Sequence, residues 1–224
     1  MEARIRMNTE ITGKSIALEI EGHPMTVFNQ RSALWNHYYD YVNPPKATLS
    51  SAGCGIFSLC HCGQWITGEI FSPDELADFS MRNGGRGDDG TDRPALLSAM
   101  MEKGWADRFG FRYNGDGLRN DVPVLNRHLL EGKGVALCNL RVGHIVALVK
   151  ARVIDNEIQY LAIDPYSETT DSRIMPIVRE VISDSAVISV MRNSAGVRTG
   201  YSLQYAVYWC SNTTVRDFNL LYTI

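Results

Sequence analysis

Ser50-Ser51-Ala52-Gly53-Cys54-Gly55-Ile56-Phe57-Ser58-Leu59-Cys60 is the stretch from which the fold and the chemistry of this chain are read. A small, polar, glycine-flanked segment runs into a cysteine. Apolar residues then recur at helical spacing as far as Gly68, a residue suited to ending a helix. Cys54 therefore stands in the first turn of a helix predicted to reach about Thr67. The N-terminus of a helix carries unpaired N–H groups and partial positive charge, which favour a thiolate over a thiol. Gly53 and Gly55 let another backbone, or a substrate chain, come close to the sulfur. A nucleophilic Cys54 requires a histidine base, an acceptor to orient that base and donors for an oxyanion.

The same helix is apolar on most of its circumference, with Ile56, Phe57, Leu59, Cys60, Cys62, Trp65 and Ile66, so it belongs in the interior. Cys60-His61-Cys62 has metal-binding residue types, but neighbouring helical positions point about 100° apart and cannot close on one ion. Cys60 and Cys62 are read as core residues. His61 shares a face with Cys54 but lies about 10 Å further along the axis, too far to serve as its base.

Before this helix, short alternating runs separated by glycine predict strands over 4–7, 15–20 and 25–28. Residues 32–43 carry Trp35, Tyr38, Tyr39 and Tyr41. They are expected to form a short helix with its rings inward, ended by Pro44-Pro45. After it, Ser72-Pro73-Asp74-Glu75 is a capping box that opens a helix over 73–82. A polar loop over 83–90 follows and reads as flexible. Its Arg86-Gly87-Asp88 is a chance match to an adhesion tripeptide. Helices are expected over 95–103, started by Thr91 or Asp92 with Pro94, and over 123–130.

From Gly134 onward the period changes to that of strands: 134–140, 144–153 and 157–163, the last two joined through Asp155-Asn156. Further strands are predicted over 186–191 and 203–209, around a polar loop at 192–200, and 218–222 is expected as an edge. Helices gather early and strands late, so the fold class is α+β. The chain reads as one domain in three parts: residues 1–45, a helical half over 46–132 and an antiparallel sheet half over 133–224.

Composition narrows the function. The 224 residues are 45% hydrophobic with a net charge of −3 and no basic tract, which gives no footing for nucleic acid or an anionic membrane. Five cysteines without framework spacing suit a reducing compartment. No bilayer-length apolar run and no signal-like N-terminus are seen, so a cytoplasmic location is expected.

Among five histidines, His144 is the best placed base, because Gly143 precedes it and an apolar strand follows. Asp164 ends the next strand, before Pro165. Antiparallel pairing brings the start of one strand beside the end of the next. A two-residue turn at Asp155-Asn156 would instead set His144 opposite Ser167, about 10 Å from Asp164 along the strand. A longer turn near Ile154 or a bulge is therefore predicted. His23, His37 and His128 have no partner signal and are read as structural.

Ser51-Ala52-Gly53-Cys54-Gly55, the Ser-Pro-x-Glu helix start, Gly90-Thr91, Gly132-Lys133-Gly134-Val135-Ala136, Gly143-His144-Ile145-Val146 and Ile163-Asp164-Pro165 occur in this order over roughly residues 46–166. This ordered set resembles papain-like cysteine peptidases similar to the double-glycine leader peptidases. The resemblance implies a papain-like fold with Cys54 as nucleophile, His144 as base and acid, and Asp164 as orienter of the imidazole. It also implies a substrate cleft bordered by Asp88, Asp89, Thr91 and Tyr166, where the acidic residues, with Asp92, would favour a basic peptide. Many members carry an oxyanion-hole glutamine upstream of the cysteine, where this chain has Thr48. The Cys54 N–H can donate, and Thr48, Ser50 or Ser51 could supply a second hydrogen bond.

The expected function is thus a cysteine peptidase acting on a peptide or protein substrate through a thioester, without a metal or cofactor. An acyl- or peptidyl-transferase, a cell-wall amidase, and an inactive scaffold of the same fold are the competing readings. Oligomeric state is not indicated.

Overall fold

In the computed structural model, which describes residues 5–11, 14–30, 32, 34–165 and 206–224, the chain begins with β1 (Ile5–Ile11), β2 (Ser15–Ile20) and β3 (His23–Phe28), an antiparallel sheet in that order. A four-residue helix α1 (Leu49–Ala52) leads through Gly53 into α2 (Cys54–Thr67). Then come α3 (Pro73–Arg82), the hairpin strands β4 (Arg86–Gly87) and β5 (Gly90–Thr91), α4 (Arg93–Glu102), α5 (Trp105–Arg108), β6 (Phe111–Arg112) and α6 (Val122–Leu130). The last strands are β7 (Gly134–Leu140), β8 (His144–Ile154), β9 (Glu157–Asp164), β10 (Ala206–Ser211) and β11 (Val215–Thr223). They join β6 in a six-stranded antiparallel sheet ordered β10-β9-β8-β7-β11-β6. The class is α+β.

Helix α2 is the axis of the arrangement, packed on one side against β7 and β8 and on another against β3. Its buried polar residues Ser58, His61 and Gln64 each make a hydrogen bond. Gln64 Oε1 accepts the Thr26 N–H at 3.2 Å and His61 Nε2 accepts the Phe28 N–H at 3.0 Å, so α2 side chains bond the edge of β3 that β2 does not cover. Ser58 Oγ donates to Ile145 O at 2.9 Å on the opposite flank. Each such buried bond is worth about 1 kcal/mol, and leaving one partner unmet would cost more. His61 accepts a proton-bearing amide while burial pushes its pKa down to about 3, so it is neutral and structural.

The caps form where the sequence places them. Ser72 Oγ accepts from the Glu75 N–H, with Pro73 in the first turn of α3. Asp92 rather than Thr91 caps α4, accepting from the Ala95 N–H at 3.0 Å.

Two expectations are overturned. The helix expected over 32–43 does not form across 34–43: Tyr38 bridges Thr48, the Tyr39 N–H donates to Ala47 O and the Leu49 N–H to His37 O. The Asp40 carboxylate takes the N–H groups of Val42, Lys46 and Ala47, which ties this segment to the chain beyond Pro45 and fixes a loop. The rings accordingly divide, with Trp35 and Tyr39 buried and Tyr38 and Tyr41 exposed. The strand foreseen as an edge at 218–222 is β11, which lies inside the sheet between β7 and β6. Phe218, Leu220 and Leu221 are fully buried, as an interior strand requires. The predicted strand at 186–191, the loop at 192–200 and Tyr166 lie outside the described residues.

Candidate active site

Strand register decides whether His144 and Asp164 can meet. The turn between β8 and β9 has two residues, Asp155 and Asn156, both left-handed at φ 50° and 63°, and Ile154 pairs with Glu157. Continued without interruption, that register puts Asp164 opposite Ala147, an odd step from His144 and hence on the other face of the sheet. The pairing instead steps from Lys150 with Leu161 to Leu148 with Ala162, so Val149 is an extra residue on β8. This bulge sets Asp164 opposite Val146 by extension of the Ala147–Ile163 pair, two residues from His144 and on its face. A diagonal pair of that kind is within side-chain reach. His144 Nε2 and Asp164 Oδ1 are 2.5 Å apart.

With Nε2 engaged by Asp164, the ring nitrogen left for the sulfur is Nδ1. Cys54, half-buried at the first position of α2, lies within electrostatic reach of the His144 side chain. Burial by itself pushes the thiol up. The hydrogen bond and charge of His144, with the N–H groups of Ile145 and Gly55, outweigh it and hold Cys54 below its ordinary value. Burial likewise pushes the imidazole down, but the charge and hydrogen bond of Asp164, then those of Cys54, raise it to about 10. The other cysteines differ: burial pushes Cys60, Cys62, Cys138 and Cys210 up. One sulfur of five is thus set apart by a lowered value.

Asp164 is fully buried, and its second oxygen is met as well: the Tyr208 hydroxyl donates to Oδ2 at 3.0 Å. Burial and the neighbouring carboxylate push the Tyr208 phenol well above its ordinary value, which keeps it a donor. Tyr208 stands on β10, where Ala206 pairs with Asp164, so it is again the diagonal neighbour. Sequence reasoning did not find Tyr208, because no local spacing relates β10 to β9 across the 41 residues between them.

The hydroxyls considered for the oxyanion are engaged with one another. Ser51 Oγ accepts the Thr48 N–H at 2.9 Å and donates to Thr48 O at 3.0 Å, and the Thr48 and Ser50 hydroxyls are 2.8 Å apart. They cap α1, one turn before the cysteine. The Cys54 N–H, at the start of α2, is the donor nearest the sulfur that the helix leaves unspent.

A groove of about 670 Å³ opens beside Cys54. One wall is the β4–β5 hairpin and the start of α4, including Asp89, Thr91 and Asp92; the other includes Gly143, Ile145 and Asp217. Asp89 and Thr91 border this groove, whereas Asp88 is exposed on the hairpin outside its lining. The hairpin is pinned and not a flexible loop. Arg86 is buried, its Nε donating to Tyr39 O and its Nη1 to Gly90 O, each at 2.8 Å, with Gly87 O a further partner. Tyr39 carries the support inward, its hydroxyl 2.9 Å from Ser80 Oγ and 3.1 Å from Thr91 Oγ1. Thr91 in turn fills the space a side chain on Gly55 would need: a Cβ there would stand 2.6 Å from Thr91 Cβ. In the groove itself Arg93 is neutralised by Asp217 and also donates to Leu137 O at 2.9 Å. Arg86 and Arg93 were missed in the sequence, since an arginine gives no sign there of being buried.

No protein-family model, curated protein or solved structure matches this chain. Among the described residues, no helix is long and apolar enough to cross a membrane.

Proposed function

We propose that this chain is a thiol-dependent hydrolase that opens a peptide or amide bond through Cys54, on a papain-like pairing of one helix with one sheet. The observation that carries the reading is the His144–Asp164 pair set beside Cys54 at the start of α2, with the thiol lowered and the imidazole raised. A group pair biased in this way favours thiolate beside imidazolium over the neutral pair.

The thiolate attacks the carbonyl carbon, and the oxyanion that forms lies at the helix start, where the Cys54 N–H donates. His144 gives its proton to the leaving nitrogen as the C–N bond breaks, which leaves a thioester on Cys54. Neutral His144 then takes a proton from water, the hydroxide equivalent attacks the thioester, and the sulfur departs as thiolate beside a restored imidazolium. Asp164, itself held by Tyr208, keeps the ring turned to the sulfur and balances its charge throughout. The groove along Gly90 and Gly143 supplies the extended path for a peptide.

Iodoacetamide labelling and cleavage of a mixed peptide library test this together. The reading expects fast labelling near neutral pH that vanishes in Cys54→Ala and slows in His144→Ala, with peptide turnover lost in both. Labelling no faster than that of free cysteine, with no turnover, would replace the enzyme by a binding scaffold. Product carried onto an added amine instead of water would make it a transferase.

A further inference from the structure

We infer that Gln30 is a positioning residue for the nucleophile, holding the Cys54 N–H free by taking the carbonyl that a continuous helix would give it. This rests on the thiol-hydrolase reading above. In an α-helix each N–H bonds the carbonyl four residues earlier, which for Cys54 is Ser50. The ladder runs up to that point and resumes after it: the Gly53 N–H donates to Leu49 O and the Phe57 N–H to Gly53 O. Between them, Ser50 O accepts the Gln30 side-chain Nε2 at 3.4 Å. Gly53, with ψ at 9°, turns the Cys54 peptide away from the helical path. Only glycine fits that corner, because a Cβ would lie 2.6 Å from Leu49 O.

Gln30 is 1% exposed and held from the other side, its own N–H donating to Pro165 O at 2.8 Å, next to Asp164. It therefore spans from the carboxylate end of the site to the turn before the sulfur. Its Oε1 is buried without a hydrogen-bond partner, a cost that an apolar side chain of the same size would avoid. The amide orientation follows from chemistry, since a carbonyl at Ser50 can only accept. The break in the helix leaves the Cys54 N–H for the substrate oxyanion, and Gln30 keeps the break from healing.

Gln30→Met and Gln30→Leu both remove the donor. Two probes separate what it does. Alkylation by iodoacetamide needs only the thiolate, whereas acylation by p-nitrophenyl acetate passes through an oxyanion. The inference expects acylation of Cys54 to fall by about tenfold or more while alkylation stays within about twofold. Equal loss of both, or loss of neither, would overturn it. If both variants fail to fold, scalar couplings across hydrogen bonds in the unmodified chain decide: a coupling from Gln30 Nε2 to the Ser50 carbonyl carbon, with none from Cys54 N, supports it, and any other pattern overturns it. Slow alkylation of the unmodified Cys54 would count against the hydrolase reading instead, and the couplings would still be read.

Discussion

Replacing Asp164 by asparagine removes one charge from the site and leaves its shape, so it isolates the electrostatics on which the chemistry depends. His144 rises from 6.5 to about 10 against its own burial, and Asp164 is the foremost cause of that rise, ahead of Cys54. Assigning half of the rise to Asp164 gives about 2.4 kcal/mol, or roughly fiftyfold in the ratio of the thiolate–imidazolium pair to the neutral pair. The substitution also acts on the tautomer. The Tyr208 hydroxyl continues to donate to the amide oxygen, which turns the amide NH2 towards Nε2. That nitrogen must then accept, the ring proton moves to Nδ1, and the face turned to the sulfur can no longer take the thiol proton. The assay is the rate of Cys54 alkylation as a function of pH, with circular dichroism and a melting curve to show that the variant is folded. The expected result is a slower rate near neutral pH, by up to about fiftyfold, with the upper titration moving from about 10 towards 6.5. A raised imidazole holds its proton until pH climbs through the raised value, so the shift must be downward. An unchanged profile in a folded variant would refute the assignment of Asp164 as the source of the charge pair.

Tyr208→Phe leaves one oxygen of a fully buried carboxylate without its donor and is expected to lower stability by about 1.5–3 kcal/mol in urea unfolding. Gly55→Ala forces a methyl against Thr91 and is expected to cost about 1–3 kcal/mol and to displace the groove hairpin; Thr91→Gly in the same chain should recover most of the loss, again by urea unfolding. Neutralising Asp88, Asp89 and Asp92 as asparagines is expected to weaken cleavage of lysine- or arginine-bearing peptides relative to neutral ones by a few-fold, with Asp89 and Asp92 carrying the effect because they line the groove. The check is kcat/KM on matched peptides, and Asp92→Asn retains a good helix cap.

The regular elements were legible because each rests on local chemistry. The apolar run after Cys54 forces a buried helix, Ser72-Pro73 and Asp92 start the next two, and the paired apolar runs with Asp155-Asn156 between them make a hairpin. The segment over 32–43 misled for a physical reason. Its rings suggested an amphipathic helix, but Asp40 spends its carboxylate on three backbone N–H groups and so builds a loop. A carboxylate's choice between solvent and backbone leaves no trace in periodicity. The place of β11 was hidden similarly: pairing with β7 comes from opposite ends of the sheet half, and no local pattern encodes which edge is free.

The pairing of His144 with Asp164 shows how far such reading extends. Counting residues through a two-residue turn makes the pair impossible, since it places the two side chains on opposite faces as well as out of step. Supposing that they do meet demands one extra residue somewhere in the hairpin, and the sequence offers no glycine to mark it. The structure puts that residue at Val149, an ordinary β-branched side chain only 5% exposed, between the stretch of β8 that pairs with the turn-proximal half of β9 and the stretch beside the site. Parity is therefore the stringent condition. A shift along the strand could be absorbed by side-chain length, but a change of face could not. Any single-residue insertion or deletion in β8 or β9 between the turn and the site must reverse that face, and with it the line from carboxylate to imidazole to sulfur, whereas a second compensating bulge would restore it.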